Sequence, residues 1–272
     1  MSGGALEGRG AAVSREVPAE PPGRGLLEGK TVVVTAAAGT GLGFAAARRC
    51  LAEGAQVLIS DIHERRLREA ADRLAEEFGG RPATQMCNVT VEDEVQALFD
   101  AAVAELGHVD VMINNAGLGG TSDLVDMTDQ QWHVVIDVTL NGTMRTTRAA
   151  LRHMMPRGTG VIVNNASVMG WRAQAGQCHY AAAKAGVMAL TRCAAMEAAE
   201  AGVRVNCVAP SLAMHPFLAK VSSQEFLDDL ISLEAFDRAA EPWEVANVMV
   251  FLASDYSTYM TGEIVSVSSQ HP

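Results

Sequence analysis

The chain is short of positive charge, of paired cysteines and of long apolar runs, and each shortage removes a class of function. Twenty-one Lys and Arg stand against 32 Asp and Glu, a formal net charge of −11. Neutralising phosphates needs clustered Lys and Arg, so neither nucleic acid nor an anionic membrane is an expected partner. The five cysteines, at 50, 87, 178, 193 and 207, show no Cys-x-x-Cys and no Cys/His ligand spacing. No metal is implied, and free thiols, most of them buried in helices or strands, suit a reducing cytoplasm. No apolar segment approaches the ~20 residues of a membrane span. Residues 1–25 lack a signal-type apolar core and carry six glycines and three prolines among mixed charges. They read as a flexible tail, free to lie over a subunit neighbour. No internal repeat is present.

What remains, residues 26–272, has the pattern of one α/β domain: apolar β-branched runs alternating with helical stretches. Strands are expected near 31–36, 56–60, 82–87, 109–114, 160–166, 203–208 and 263–267. Helices are expected over 42–53, 63–78, 91–106, 128–155, 178–200 and 242–253, the last opening on Pro242.

The first strand runs into Ala36-Ala-Ala-Gly39-Thr40-Gly41-Leu42-Gly43, and a helix follows. Strand, glycine turn and helix together make a phosphate cradle. Glycines admit the pyrophosphate to the backbone, and the helix N-terminus offers free N–H groups. A tight turn in any α/β protein is the plainer alternative. Asp61 ends the second strand eighteen residues past Gly43. A carboxylate there suits the ribose hydroxyls of NAD and repels the 2′-phosphate of NADP. It also has capping-box-like spacing to Glu64, a purely local role.

Farther on, Tyr180 and Lys184 stand four apart in an Ala-rich helical stretch, with Ser167 thirteen residues before the tyrosine. Residues i and i+4 share a helix face, and an ammonium beside a phenol favours the phenolate. That pair suits general acid/base work, with Ser167 holding a carbonyl or hydroxyl oxygen. Alone, Tyr-x-x-x-Lys occurs by chance in many helices.

With the glycine turn, Asn114-Asn115-Ala116-Gly117 after a strand, the Ser167/Tyr180/Lys184 trio, Pro210 after Val203–Val208, and Thr261-Gly262, the chain resembles the short-chain dehydrogenase/reductase family from about Leu26 onward. The resemblance implies a single doubly wound Rossmann domain with a seven-stranded parallel sheet, and a homotetramer. It implies that Ser167 orients the substrate oxygen, Tyr180 is the acid/base, and Lys184 binds the nicotinamide ribose. Hydride would pass between NAD and a secondary alcohol or ketone. Gly39, Thr40, Gly41, Leu42, Gly43, Asp61, Asn88, Val89, Asn115, Ala116, Gly117, Tyr180, Lys184 and Pro210 would line the cofactor.

Departures accompany the match. The glycine turn is one residue longer than usual. Thr139 stands where the family has a catalytic asparagine, with Asn141 on another side of the helix. Asn88 replaces an aspartate, Ser211 a glycine, His215 a threonine, and Ser268-Ser269 an Asp-Gly. A threonine hydroxyl can hold a relay water but lacks the amide's separate donor and acceptor.

Segment 211–240 is long for a connection and reads as a substrate lid. Its Leu212, Met214, Phe217, Leu218, Phe226, Leu227, Leu230 and Phe236 suit either a greasy substrate or a small helix packed on the core. His179 points about 100° from Tyr180 on a helix. Trp171, Arg172 and Gln174 border the expected pocket, where Arg172 is either an anion contact or a solvated surface group. Residues 36–41, 164–174 and the Ser-Ser-Gln-His-Pro end resemble an actinobacterial branch, some of whose members act on CoA thioesters of a bicyclic steroid-ring remnant. A dinucleotide-binding protein without catalysis, and a structural or interaction subunit, are the alternatives.

Overall fold

The computed structural model describes residues 17–214 and 224–270. Seven strands form one parallel sheet: β1 (Thr31–Val34), β2 (Gln56–Asp61), β3 (Ala83–Met86), β4 (Val111–Asn114), β5 (Gly160–Asn165), β6 (Val203–Pro210) and β7 (Ile264–Val267). Their order is β3-β2-β1-β4-β5-β6-β7. All pairings are parallel, as connections through helices require. The run Thr31-Val-Val-Val34 is buried throughout, as a central strand covered on both faces should be.

Eight α-helices are described: α1 (Leu42–Ala52), α2 (Glu64–Phe78), α3 (Glu92–Leu106), α4 (Asp129–Ile136), α5 (Gly142–Met154), α6 (Cys178–Ala198), α7 (Gln224–Ser232) and α8 (Pro242–Ala253). One core layer joins α1, α2 and α8 to the sheet through Phe44, Leu67, Leu74, Met249 and Leu252. The other packs α3, α5 and α6 through Leu98, Phe99, Met154 and Ala195. The strand order reverses between β1 and β4, and open α/β sheets bind ligands in the crevice at such a switch point. Among the described residues no helix is long and apolar enough to cross a membrane.

Three local expectations are corrected. The single helix expected over 128–155 is broken: α4 passes into a π turn over Asp137–Asn141 before α5. Gly142 follows that turn, and a Cβ there would lie 2.6 Å from Val89 Cγ2, so glycine lets Val89 pack against the helix. The Asp61–Glu64 capping box does not form. His63 is the N-cap of α2, and the Asp61 carboxylate accepts from its N–H at 3.0 Å. Residues 17–25, expected within the tail, lie against α1. Glu20 pairs with Arg48 at 2.7 Å, Arg49 donates to Pro21 O, and the Arg24 N–H donates to Glu53 at 2.7 Å. The first 16 residues lie outside the described ones, as do His215, Phe217 and Leu218 of the expected lid.

Candidate active site

The C-terminal ends of β1, β2, β4, β5 and β6 converge on one side of the sheet, and the sequence motifs come together there. Beyond β1 the chain turns sharply: Ala36 has φ +51°, rare for a residue with a Cβ, and Gly39 has φ +109°. A Cβ on Gly43 would lie 2.3 Å from Ala36 O and 2.5 Å from Asn115 Nδ2, so only glycine fits there. Gly39 and Gly41 face open space, with nothing within 4 Å of where a Cβ would stand. Gly41 is the N-cap of α1 and supplies no side-chain cap, which leaves the first amides of the helix facing that space. On the outer side of the turn, Arg73 donates to Gly39 O at 3.0 Å and lies 4.2 Å over the Phe44 ring.

Asp61 is buried and accepts from the Ala38 N–H at 3.2 Å as well as from His63. Burial pushes its pKa up from the ordinary carboxylate value, against the Ala38 amide and the Arg66 charge. Thr35 was not singled out by sequence reasoning. Its hydroxyl accepts from both Asn115 N and Ala116 N, at 3.0 and 3.1 Å, and so ties β1 to the start of the Asn115–Gly117 segment. Asn88 spends its side-chain oxygen on Thr90 within its own turn, and Val89 packs on Gly142.

Lys184 reaches the end of β5, two residues before Ser167, and lies beside the Tyr180 ring. The Ser167 hydroxyl accepts from Met169 N at 3.2 Å and donates weakly to Pro210 O at 3.5 Å. Lys184 is buried, donates to Asn165 O at 2.7 Å, and places Nζ 5.6 Å from the Tyr180 ring centroid. A Cβ on Gly117 would lie 3.4 Å from Lys184 Nζ and 3.7 Å from Thr139 Oγ1. Thr139 is buried in the π turn, donates to Leu118 O at 3.1 Å and accepts from Leu118 N at 2.9 Å. Its one proton is thus spent on the loop after β4 and is not offered to a relay water. Asn141 turns away to Asp137, at 3.0 Å.

A Cβ on Gly119 would lie 3.7 Å from Tyr180 Cδ2, and one on Gly120 would lie 3.3 Å from Nε2 of buried His179. Leu118 and Trp171 are exposed, and in the segment expected as a lid Leu233 and Phe236 are exposed while Leu227 is buried. The described parts of that segment are tied to the rest of the chain. Ala213 bridges to Ala240, and buried Glu234 accepts from Ser269 at 2.7 Å and Gln270 at 2.9 Å. A separate cleft of about 480 Å³ opens at the opposite end of the sheet, lined by Lys30, Asp110, Arg204 and Tyr259. It is remote from this chemistry. Cys50, Cys87 and Cys207 are buried free thiols, as expected, while Cys178 and Cys193 are exposed.

A doubly wound sheet with a glycine turn at its switch point and a Ser/Tyr/Lys cluster beside it defines a dinucleotide-type oxidoreductase site. Comparison with known proteins agrees. A family model described as enoyl-(acyl carrier protein) reductase matches residues 36–269. A Mycobacterium tuberculosis protein named (5R,7aS)-5-hydroxy-7a-methyl-1-oxo-2,3,5,6,7,7a-hexahydro-1H-indene-carboxyl-CoA reductase is 62% identical over 257 residues, covering 94% of this chain and 98% of that protein. The 3-oxoacyl-[acyl-carrier-protein] reductase FabG of Thermotoga maritima is 36% identical over 89% of this chain and 97% of its own. The crystal structure of a short chain dehydrogenase from Mycobacterium smegmatis superposes with a TM-score of 0.84 at 57% identity, covering 94% of this chain and 99% of that one. The chain belongs to the short-chain dehydrogenase/reductase family and is an oxidoreductase of that family.

Proposed function

We propose that this protein transfers hydride between NAD(H) and a ketone or secondary alcohol on a hydrophobic bicyclic acyl-CoA. The reading is supported above all by Lys184, which lies beside the Tyr180 ring and is held by the end of β5 two residues before Ser167, and by a glycine turn whose helix has no side-chain cap. The residues present fit a nicotinamide dinucleotide: the open faces of Gly39 and Gly41 leave room for the pyrophosphate, and Asp61 stands eighteen residues past Gly43 for the ribose. Such a cofactor, when bound, supplies or accepts the hydride.

The rest of the chemistry belongs to the chain. Ser167 donates a hydrogen bond to the substrate oxygen and fixes its position. Tyr180 gives that oxygen a proton in reduction and removes it in oxidation. Lys184, held by Asn165 O, keeps positive charge beside the phenol and leaves two N–H groups for a ribose hydroxyl. Thr139 positions the Leu118 loop. The acyl-CoA class is supported by the 62% identical reductase and by the exposed apolar side chains of Leu118, Trp171 and Phe236. NAD over NADP is supported by the Asp61 carboxylate. A homotetramer is supported by half-exposed β7 at the sheet edge and exposed Met196 on α6.

The test is fluorescence titration with NADH and NADPH, then turnover of hydrophobic ketones and acyl-CoA substrates by wild type and Tyr180→Phe. NADH preference is expected, together with a fall in turnover of roughly 10²–10⁴-fold in the variant at unchanged NADH affinity. Turnover surviving in Tyr180→Phe removes the acid/base assignment. Tight NADH binding with no substrate turned over favours the non-catalytic alternative.

A further inference from the structure

Two asparagine doublets face each other across the middle of the sheet. Asn114 ends β4 and Asn115 follows it, Asn164-Asn165 ends β5, and Asn114 and Asn164 are in register. Side chains alternate along a strand, so each doublet sends one amide to either face of the sheet. On one face Asn114 Nδ2 donates to Asn164 Oδ1 at 2.9 Å and to Thr147 at 3.1 Å, and Asn164 donates to Thr191 at 2.9 Å, which joins the strands to α5 and α6. On the other face Asn165 Nδ2 donates to Asn115 Oδ1 at 3.0 Å. Asn115 Nδ2 in turn donates to Thr35 O at 3.3 Å and Ala36 O at 3.2 Å, the start of the glycine turn.

The orientation of this second rung is forced. Asn115 must aim its NH₂ at two carbonyls, so its oxygen faces β5, and Asn165 can answer only with its own NH₂. Asn165 Oδ1 is then left buried without a partner among the described residues. A buried amide oxygen left bare costs about 1–3 kcal/mol, which offsets what the one bond to Asn115 contributes. Packing alone therefore does not account for Asn165. What the residue does have is position: its main-chain oxygen holds Lys184 Nζ at 2.7 Å, while its amide reaches the glycine turn through Asn115.

We propose that Asn165 is a positioning residue that links the cofactor turn to the catalytic lysine. The path is continuous: Lys184 to Asn165, Asn165 to Asn115, and Asn115 to Ala36, whose carbonyl stands against Gly43 at the start of α1. Ordering of the turn around a dinucleotide is thereby transmitted to the end of β5 and so to Lys184.

The inference rests on the proposed function and is tested with Asn165→Leu, which keeps the shape and deletes the amide, and Asn165→Ser, which is smaller and spares folding if leucine does not fit. Melting temperature, NADH affinity by fluorescence, KM for NADH and kcat are measured in wild type and both variants. A link with two ends predicts that KM for NADH rises about fivefold and kcat falls about tenfold together, with a lower melting temperature where Asn115 Oδ1 loses its donor. A fall in melting temperature with KM and kcat intact, or a change in only one of the two, overturns the proposal. If wild type fails to bind NADH, the functional reading fails instead. If wild type binds NADH without turnover, NADH affinity alone decides, and unchanged affinity in both variants overturns the link.

Discussion

The two ends of the sheet treat polar groups in opposite ways. At the N-terminal end Asp110 accepts from the Thr31 N–H and hydroxyl at 3.0 and 3.1 Å and from Arg157 at 3.0 Å, with His108 3.1 Å away. Arg204, close by, donates to Leu252 O, Ser254 O and Ser257 Oγ. These groups are satisfied by structure. At the C-terminal end, among the described residues, α1 has no side-chain cap, buried Lys184 shows one hydrogen bond for its three donors, and Asn165 Oδ1 has none. That spare polar capacity is what the proposed dinucleotide site would use. The cleft beside Asp110 and Arg204, whose polar groups are already paired, is a poor candidate for chemistry.

The comparison is broken most severely by filling the reserved space. Gly43→Ala puts a methyl against Ala36 O and Asn115 Nδ2, neither of which can move without unmaking the turn. A loss of NADH affinity of about a hundredfold, roughly 2.8 kcal/mol, is expected in a chain that still folds. Retained affinity by fluorescence titration would mean that the turn is not the phosphate cradle. At the other end the expected damage is to stability instead. Asp110→Asn removes the charge facing Arg157 and should cost about 1–3 kcal/mol of unfolding free energy in urea titration, at unchanged KM for NADH. A shift in KM without loss of stability would erase the distinction between the ends.

The fold was largely legible in sequence because its signals are local: β-branched runs ending in glycine turns, and helices at ordinary spacing. The trio and the glycine turn could be read for the same reason, as short patterns. What escaped depends on contacts between distant segments. Nothing local marks Thr35, whose hydroxyl is important only because Asn115 and Ala116 fold back on it. The π turn at Asp137–Asn141 sits inside an unbroken helical pattern, and no residue type there signals it. The tail boundary at 25 followed composition, whereas Glu20 and Arg24 are held by charges on α1 and at Glu53. Asn165 did leave a signal, the second asparagine doublet, but its meaning needed the register of β4 against β5.

Two carboxylates sharpen the contrast with the smallest expected effects and opposite signs. Burial would raise the Asp110 pKa, but the Thr31 amide, Arg157, His108 and the Thr31 hydroxyl together hold it below its ordinary value. Its contribution to stability is therefore present above the unfolded value of about 4 and is lost as pH falls through the lower folded value. Asp61 is shifted the other way, upward, by burial. Its folded state favours the protonated acid, so its contribution is present below about pH 4 and is lost as pH rises through the folded value. Keeping this carboxylate ionised near neutral pH costs stability, as expected of a group retained for binding. Asp61→Asn should therefore be neutral or slightly stabilising in urea titrations at pH 7, while the preference for NADH over NADPH falls about tenfold, near 1.4 kcal/mol. Loss of stability at pH 7 with cofactor preference intact would instead place Asp61 with Asp110, as a structural carboxylate.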